Sequence, residues 1–342
     1  MATGSGLDGQ IGFAQESTWG TPVTVTRFIE FNSENLKRDP TFLEPTALRA
    51  GTKYKRASRI RVSRQTISGD INFDINTLGM GLLVKHMLAS TVTTPTLISG
   101  SAYKQVHTPG DFRGLGLTCQ VGRPEPSTGT VRPFTFAGIK VSKWEFNLKD
   151  NDTPSLKLSV DGRSEATATA LATASYLAGA TTFDFSQATL KLGGTATTAS
   201  GETTIAGGTT VATIIKEISV GGSAPMATDR FGLGNGGLKA EQLENGVPTI
   251  TGKLSAEFNK TELYDLFTNN TTTALQLDLT GAAIGSANYL FSIIIPAVKL
   301  KQASPAVSGA DLVQMSTDFE AYSDEVNPVI QIKIVSTESA NI

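Results

Sequence analysis

Gly69-Asp70-Ile71-Asn72-Phe73-Asp74-Ile75-Asn76 and Gly252-Lys253-Leu254-Ser255-Ala256-Glu257-Phe258-Asn259 are two versions of one pattern. Each opens on a glycine, carries apolar residues at alternate positions and closes on an asparagine. A period of two marks a half-buried strand, because successive side chains point to opposite faces of a sheet. Each run then changes to helical spacing, with Leu78, Leu82, Leu83 and Met87 after the first and Leu263, Leu266 and Phe267 after the second. These positions predict one short helix flanking each sheet. Asn76 is placed to cap the first helix, and Asn259 with Glu262 three residues on has the spacing of a capping box. Gly79 and Gly81 each weaken the first helix by roughly 1 kcal/mol relative to alanine, so close packing against a neighbour is expected there.

The repetition continues beyond these runs. Residues 134–141 (FTFAGIKV) find an echo in residues 291–300 (FSIIIPAVKL), and Val160-Asp161 ends a strand-like run as Phe319-Glu320 does later. The period is near half of the 342-residue chain, too long for a solenoid unit and right for a duplicated domain. The expected division is residues 1–165, a connection at 166–181 with room for a short helix at 167–177, and residues 182–342. A long polar segment at 32–64 interrupts the first copy, and a glycine-rich segment at 221–237 sits at the same place in the second. Residues 58–63 alternate polar and apolar, so part of the first segment could be a projecting hairpin.

The composition narrows the function. Lys and Arg number 29 against 31 Asp and Glu, whereas a dedicated nucleic-acid binder is expected to be strongly basic. Cys119 is the single cysteine, which rules out an internal disulfide and a cysteine zinc cluster. The amino-terminal residues lack the blocks of a signal peptide, and the longest apolar run, 289–298, is broken by Ser292 and Pro296 and is too short to span a bilayer. A soluble protein made in the cytoplasm is expected. Abundant Thr, Ser and Gly with 18% charged residues favours strands over long helices.

Catalytic constellations are sparse. His86 and His107 are the only histidines; His86 reads as a packing residue or a helix-end cation rather than a base. Cys119 lies in an alternating strand and reads as a small buried hydrophobe. Asp70 and Asp74 share one strand face, which suits a solvated surface better than a glycosidase pair. The glycines at 232, 234, 236 and 237 do not join a strand to a helix and form no dinucleotide fingerprint. Nothing calls for a cofactor or a metal. The basic cluster Arg49, Lys53, Lys55, Arg56, Arg59, Arg61 and Arg64 has three readings: phosphate neutralisation, a solvated loop face, or an arm docking on an acidic surface of another subunit. Tyr54 is the one aromatic there, which weakens the first reading, while the length and prolines of the segment favour the arm.

Gly12-Phe13-Ala14-Gln15-Glu16-Ser17-Thr18-Trp19-Gly20-Thr21-Pro22 resembles the start of the major tail tube proteins of long-tailed (siphovirus-like) bacteriophages. So does the order that follows: Arg27-Phe28-Ile29-Glu30-Phe31, a long arm ending in basic residues, Gly69-Asp70-Ile71, a glycine-containing helix, residues 134–141 and Val160-Asp161-Gly162. The resemblance covers most of residues 11–165 and continues more loosely to the end. It implies a mainly β fold, a tail-tube-type β-sandwich with one flanking α-helix and an inter-ring loop, in sixfold rings whose inner strands close into a barrel around the genome channel. The simplest members carry one such domain. Two tandem domains here mean three chains per pseudo-sixfold ring.

On this reading the protein is a structural virion component, not an enzyme. It polymerises into stacked rings, its arm docks on the adjacent ring, and DNA passes through the lumen without specific binding. Companion tape measure, tail tip and tail terminator proteins are implied, with assembly in the host cytoplasm and no membrane. A neutral-to-acidic lumen avoids trapping phosphates, and Asp70, Asp74 and Glu257 are the candidate channel-facing acids. Two rivals are a tandem β-sandwich adhesion or carbohydrate-binding protein of the virion surface and a β-sandwich carbohydrate-active enzyme. The first calls for apolar grooves or aromatic platforms, the second for a cleft with two acids.

Overall fold

The computed structural model describes residues 4–91, 94–211, 213–307 and 309–340. In chain order the first half runs β1 (Gln10–Gln15), β2 (Arg27–Phe28), β3 (Ser33–Glu34), β4 (Lys37–Leu43), β5 (Arg61–Asp74), α1 (Met80–Leu88), β6 (Thr96–Ser99), β7 (Ala102–His107), β8 (Leu117–Pro124), β9 (Val131–Lys149), β10 (Ser155–Gly162) and β11 (Ser164–Ala166). The second runs β12 (Ala188–Leu192), β13 (Thr195–Ala199), β14 (Glu202–Ala206), β15 (Thr209–Thr210), β16 (Ile215–Ser223), β17 (Met226–Ala227), β18 (Leu243–Glu244), β19 (Thr249–Glu257), α2 (Glu262–Thr268), β20 (Thr273–Ile284), β21 (Ala287–Gln302), β22 (Gln314–Ala321) and β23 (Gln331–Ser336).

Eight strands form one antiparallel sheet in the order β4–β5–β10–β9–β16–β19–β22–β21. β3 pairs with β5 just beyond β4. Only the C-terminal parts of β9 and β21 lie in this sheet. Their N-terminal parts belong to a second layer, where β9 joins β8 and β11, β8 joins β1, and β21 joins β20 and β23. Gly138, at φ 66, marks the point where β9 changes layers.

The apolar positions of the two layers meet between them, which is why period-two runs fold this way. Phe13 of β1 lies 6.0 Å from Phe73 of β5, and Phe146 of β9 stacks on Phe291 of β21 at 6.3 Å and 9°. Ile67, Ile71, Leu156, Leu158, Val160, Trp144 and Leu254 are buried in one contiguous core that draws on both halves. Burying each such side chain contributes about 1.5–3 kcal/mol.

The strand pairings recur between the halves. Between β10 and β9, Ser159 pairs with Lys143 and Val160 with Val141, so Ser142 is skipped. Between β22 and β21, Asp318 pairs with Gln302 and Phe319 with Leu300, so Lys301 is skipped. Val160 in turn faces Gly69, and Phe319 faces Gly252. The two glycine runs therefore sit at equivalent registers, each two strands away from a β-bulge, one extra residue on β9 or β21.

Several local expectations are corrected. α1 starts at Met80 with Gly79 as its N-cap, and Asn76 instead forms a bridge with Thr182. The amino end of α1 is met by Glu338, whose Oε2 accepts from the Gly79 amide at 2.7 Å while Oε1 accepts from Arg27 at 2.6 Å. A carboxylate there complements the helix dipole and takes over the task assigned to Asn76. α2 has Thr261 as N-cap with no side-chain cap, so the Asn259 box does not form. Residues 167–177 hold no helix; Tyr176 bridges Phe28 instead.

Candidate assembly and channel surfaces

The eight-strand sheet has one apolar face against the core and one polar face. Alternation along β5 buries Ile71 and Phe73 and turns Asp70, Asn72 and Asp74 to the polar side; β19 does the same with Leu254, Ala256 and Glu257. The three candidate acids thus share one face. Each carboxylate has neighbours. Asp70 accepts from Ser159 at 2.6 Å and meets Lys157 at 2.9 Å, which together hold its carboxyl below the usual range. Asp74 accepts from Asn32 at 2.8 Å, and Glu257 lies 3.5 Å from Lys216. Lys149–Glu217 at 3.5 Å and Lys301–Glu320 at 2.9 Å extend the pattern. The face interleaves both signs instead of forming a wall of carboxylates, and exposed pairs of this kind contribute only about 0–1 kcal/mol each.

A groove of about 500 Å³ crosses this face over Gly221, Gly222 and Gly252. The glycines are required by close approach. A Cβ on Gly222 would fall 2.3 Å from Trp144 Nε1, and one on Gly252 would fall 2.2 Å from the Phe319 ring.

β4 and the start of β5 form the arm foreseen at 32–64, a hairpin in which Lys37 pairs with Ser68 and Leu43 with Arg61. Arg49, Lys53, Lys55, Arg59, Arg61 and Arg64 are exposed and Arg56 is half-buried. Lys55 pairs with Glu44 at 2.5 Å within the arm, and Arg64 lies 4.9 Å over the Phe231 ring. Phe42, Leu43, Leu48, Tyr54 and Val62 are also exposed, so the arm is apolar as well as basic.

The glycine-rich counterpart behaves differently. Residues 229–242 fold back as a strap over the first half. Lys239 Nζ donates to both carboxylate oxygens of Asp161. Gln242 Nε2 donates to the Asp161 carbonyl at 3.1 Å, and Lys140 Nζ reaches Glu241 at 2.6 Å and the Phe112 carbonyl at 2.6 Å. Lys239, Lys140 and Gln242 are all buried. Burial raises the Asp161 carboxyl, with Lys239 opposing the shift, and lowers the Lys140 ammonium against the pull of Glu241. None of these residues stood out in the sequence. The one signal was that Asp161 repeats as Glu320.

The opening motif is a structural knot. Buried Glu16 accepts from the Gly20 amide at 2.6 Å, the Gly138 amide at 2.8 Å and Thr118 Oγ1 at 2.9 Å. Arg163 packs 5.3 Å from the Trp19 ring and donates to the Gly20 carbonyl. Leu78 is buried but lies before α1, ahead of its N-cap Gly79, and not in the helix as expected; Leu82, Leu83 and Met87 of α1 and Leu263 of α2 are buried, and Leu266 and Phe267 are partly buried against the core. His86 and His107 are buried, and burial pushes them down to about 3 and about 4, so His86 packs as a neutral ring and not as a helix-end cation. Cys119 is buried, and burial raises its thiol. Among the described residues no three His, Cys, Asp or Glu side chains group as a metal site, and no helix is long and apolar enough to cross a membrane.

These surfaces are sheet faces, strand edges and arms rather than a catalytic cleft. Residues 6–321 match the family model described as phage tail tube protein. The chain belongs to the phage tail tube protein family. A similar solved structure is the SPP1 tail tube, a hybrid structure from solid-state NMR and cryo-EM. It is 7% identical, with a TM-score of 0.30 over 46% of this chain and 81% of that one. No curated protein matches. As a tail tube protein the chain is a structural component of the phage tail.

Proposed function

We propose that the chain assembles into stacked rings that form the tail tube and conduct the genome during ejection. Residues 1–165 and 182–342 act as two tail-tube domains joined by 166–181, so three chains make a pseudo-sixfold ring. The observation that carries this reading is the eight-strand sheet itself: one face is polar and uncovered, and the sheet ends in β4 on one side and the C-terminal part of β21 on the other. Copies placed edge to edge continue the sheet, and closure removes the exposed edges that otherwise drive aggregation.

The polar face lines the lumen in this arrangement. Its interleaved lysines and carboxylates leave little net field, so phosphates find no cationic wall to release counterions against and DNA slides instead of binding. The role is mechanical and involves no reaction. Tape measure, tail tip and terminator proteins are the expected companions, and assembly takes place in the host cytoplasm.

Negative-stain microscopy of the purified full chain tests the reading, with rings or tubes as the expected result. A cryo-EM cross-section counts chains. Six whole chains per ring would remove the three-chain arrangement and leave the tube.

A further inference from the structure

The arm and the strap are the same element of the repeat, in two different states. β4 and β16 precede them in equivalent registers, since Lys37 pairs with Ser68 one residue before Gly69 and Gly221 pairs with Thr251 one residue before Gly252. The segments enclosed by the equivalent pairs Asp39–Thr66 and Ser223–Thr249, 40–65 and 224–248, differ in length by one residue. Each begins as a short antiparallel pair, Phe42 with Val62 in the arm and Met226 with Glu244 in the strap.

The strap already has a docking site. It covers the cross-strand pair Asp161–Lys140 of β10 and β9, next to the seam where β16 pairs with β9. The second half carries the same cross-strand pair, Glu320 opposite Lys299. Among the described residues no segment covers it as the strap covers Asp161: the Glu320 side chain is 30% exposed and meets local partners, Lys301 at 2.9 Å and Tyr322 at 2.8 Å. Counting along the arm from β4 puts Lys55 at the place that Lys239 holds in the strap, and counting back from β5 puts Arg56 there. The arm supplies the cation, and the second half supplies the acid.

The two do not meet within the chain, where Lys55 pairs with Glu44 and Glu320 with Lys301. β4 and β21 are the opposite ends of the eight-strand sheet, with six strands between them. The occupant of the Glu320 site is therefore a second copy. Among the described residues β4 has β5 as its one strand partner, so its outer edge is open where the equivalent edge of β16 is covered by β9.

We propose that the arm of one copy docks on the second half of a laterally adjacent copy, in place of the adjacent-ring docking expected from the sequence, with Lys55 or Arg56 on Glu320 as Lys239 sits on Asp161. The exposed Phe42, Leu48 and Tyr54 then gain cover, which a patch of that kind requires. The inference rests on the ring reading and names the contact that closes the ring.

Cysteine pairs in the full-length chain test it. Lys55→Cys with Glu320→Cys and Arg56→Cys with Glu320→Cys are oxidised in the assembled state and run on non-reducing gels; the native Cys119 is buried. At least one pair should give covalent oligomers in a ladder that ends at the ring's chain number. Lys55→Cys alone should give no ladder, because a single surface thiol joins two chains at most. In parallel, amides at 40–65 of the unmodified protein should gain hydrogen-exchange protection in rings. Rings or tubes with neither cross-linked pair forming and no arm protection would overturn the docking and leave the tail tube reading standing. A ladder that never terminates would put the arm on the stacked ring and overturn the lateral contact. A chain that forms neither rings nor tubes overturns both.

Discussion

Glu16 Oε1 accepts a hydrogen bond from the amide of Gly138, 122 residues further along the chain, at 2.8 Å. Gly138 is where β9 leaves one layer for the other, so a single buried carboxylate pins the amino-terminal motif to the bend in the longest strand. Glu16→Gln keeps the shape but turns an amide group toward donors. The expected loss is about 1–3 kcal/mol, the cost of a buried donor left unsatisfied, read as a lower urea midpoint at unchanged slope. An unchanged midpoint would mean that the knot is loose in solution.

The strap makes a second stability prediction. Lys239→Met leaves the buried Asp161 carboxylate without its cation, and removing one partner of such a pair costs about 3–5 kcal/mol. Adding Asp161→Leu should recover much of that loss, because the uncompensated charge goes with it. If the double variant is as unstable as the two single losses added together, the two residues are not coupled.

Acid should weaken the fold before it reaches the carboxylate range. His86 and His107 are held neutral at about 3 and about 4, against an ordinary value of 6.5. The unfolded chain takes up protons as pH falls through 6.5 and the native chain does not. The stability these groups allow is therefore fully present above pH 6.5 and is lost as pH falls toward 4, at about 1.4 kcal/mol per pH unit for each histidine. Urea unfolding at pH 7 and pH 5 measures the slope, and His107→Gln should roughly halve it. A flat profile between those pH values would contradict the burial of both rings.

Gly252→Ala places a methyl against the Phe319 ring and the Ser219 carbonyl. Overpacking of this kind costs about 1–3 kcal/mol. Thermal unfolding should show it, while Gly232→Ala, in open space, should be close to neutral.

Reversing Lys55, Arg56, Arg59 and Arg61 together should impair tube growth and leave monomer unfolding nearly unchanged, since these side chains are exposed or half-buried and lie outside the core. Single reversals should do little, because exposed pairs contribute about 0–1 kcal/mol. Light scattering of assembly reads the difference, and normal growth of the quadruple variant would make the arm's charges solvated surface.

The sequence announced elements wherever alternation was strong and local. β5, β9, β10, β19, β21 and β22 were all legible because their buried positions recur every second residue. β6 and β7 were not, since Thr, Ser, Lys and Gln break the apolar contrast, and β13 with β14 is a threonine-rich hairpin with little to bury; β23 was missed although Ile330, Ile332 and Ile334 recur every second residue and are buried. The helix ends were misread for a tertiary reason: Asn76 has the right chemistry for a cap, but Glu338 arrives from the far end of the chain and does the work at Gly79. Of the candidate site, the placement of Asp70, Asp74 and Glu257 on one face followed from period two. Lys140, Lys239 and Glu16 did not, because a charged residue reads as surface until the segment that buries it is known.

The pairing of β9 with β16 has a kinetic meaning. It joins two halves that share one backbone, so this seam forms as the chain folds, at a rate independent of protein concentration. In a ring of six equivalent domains, every second seam would then be present before any two molecules meet. Only the alternate seams would depend on encounter, and growth would be governed by a third-order rather than a sixth-order mass-action balance.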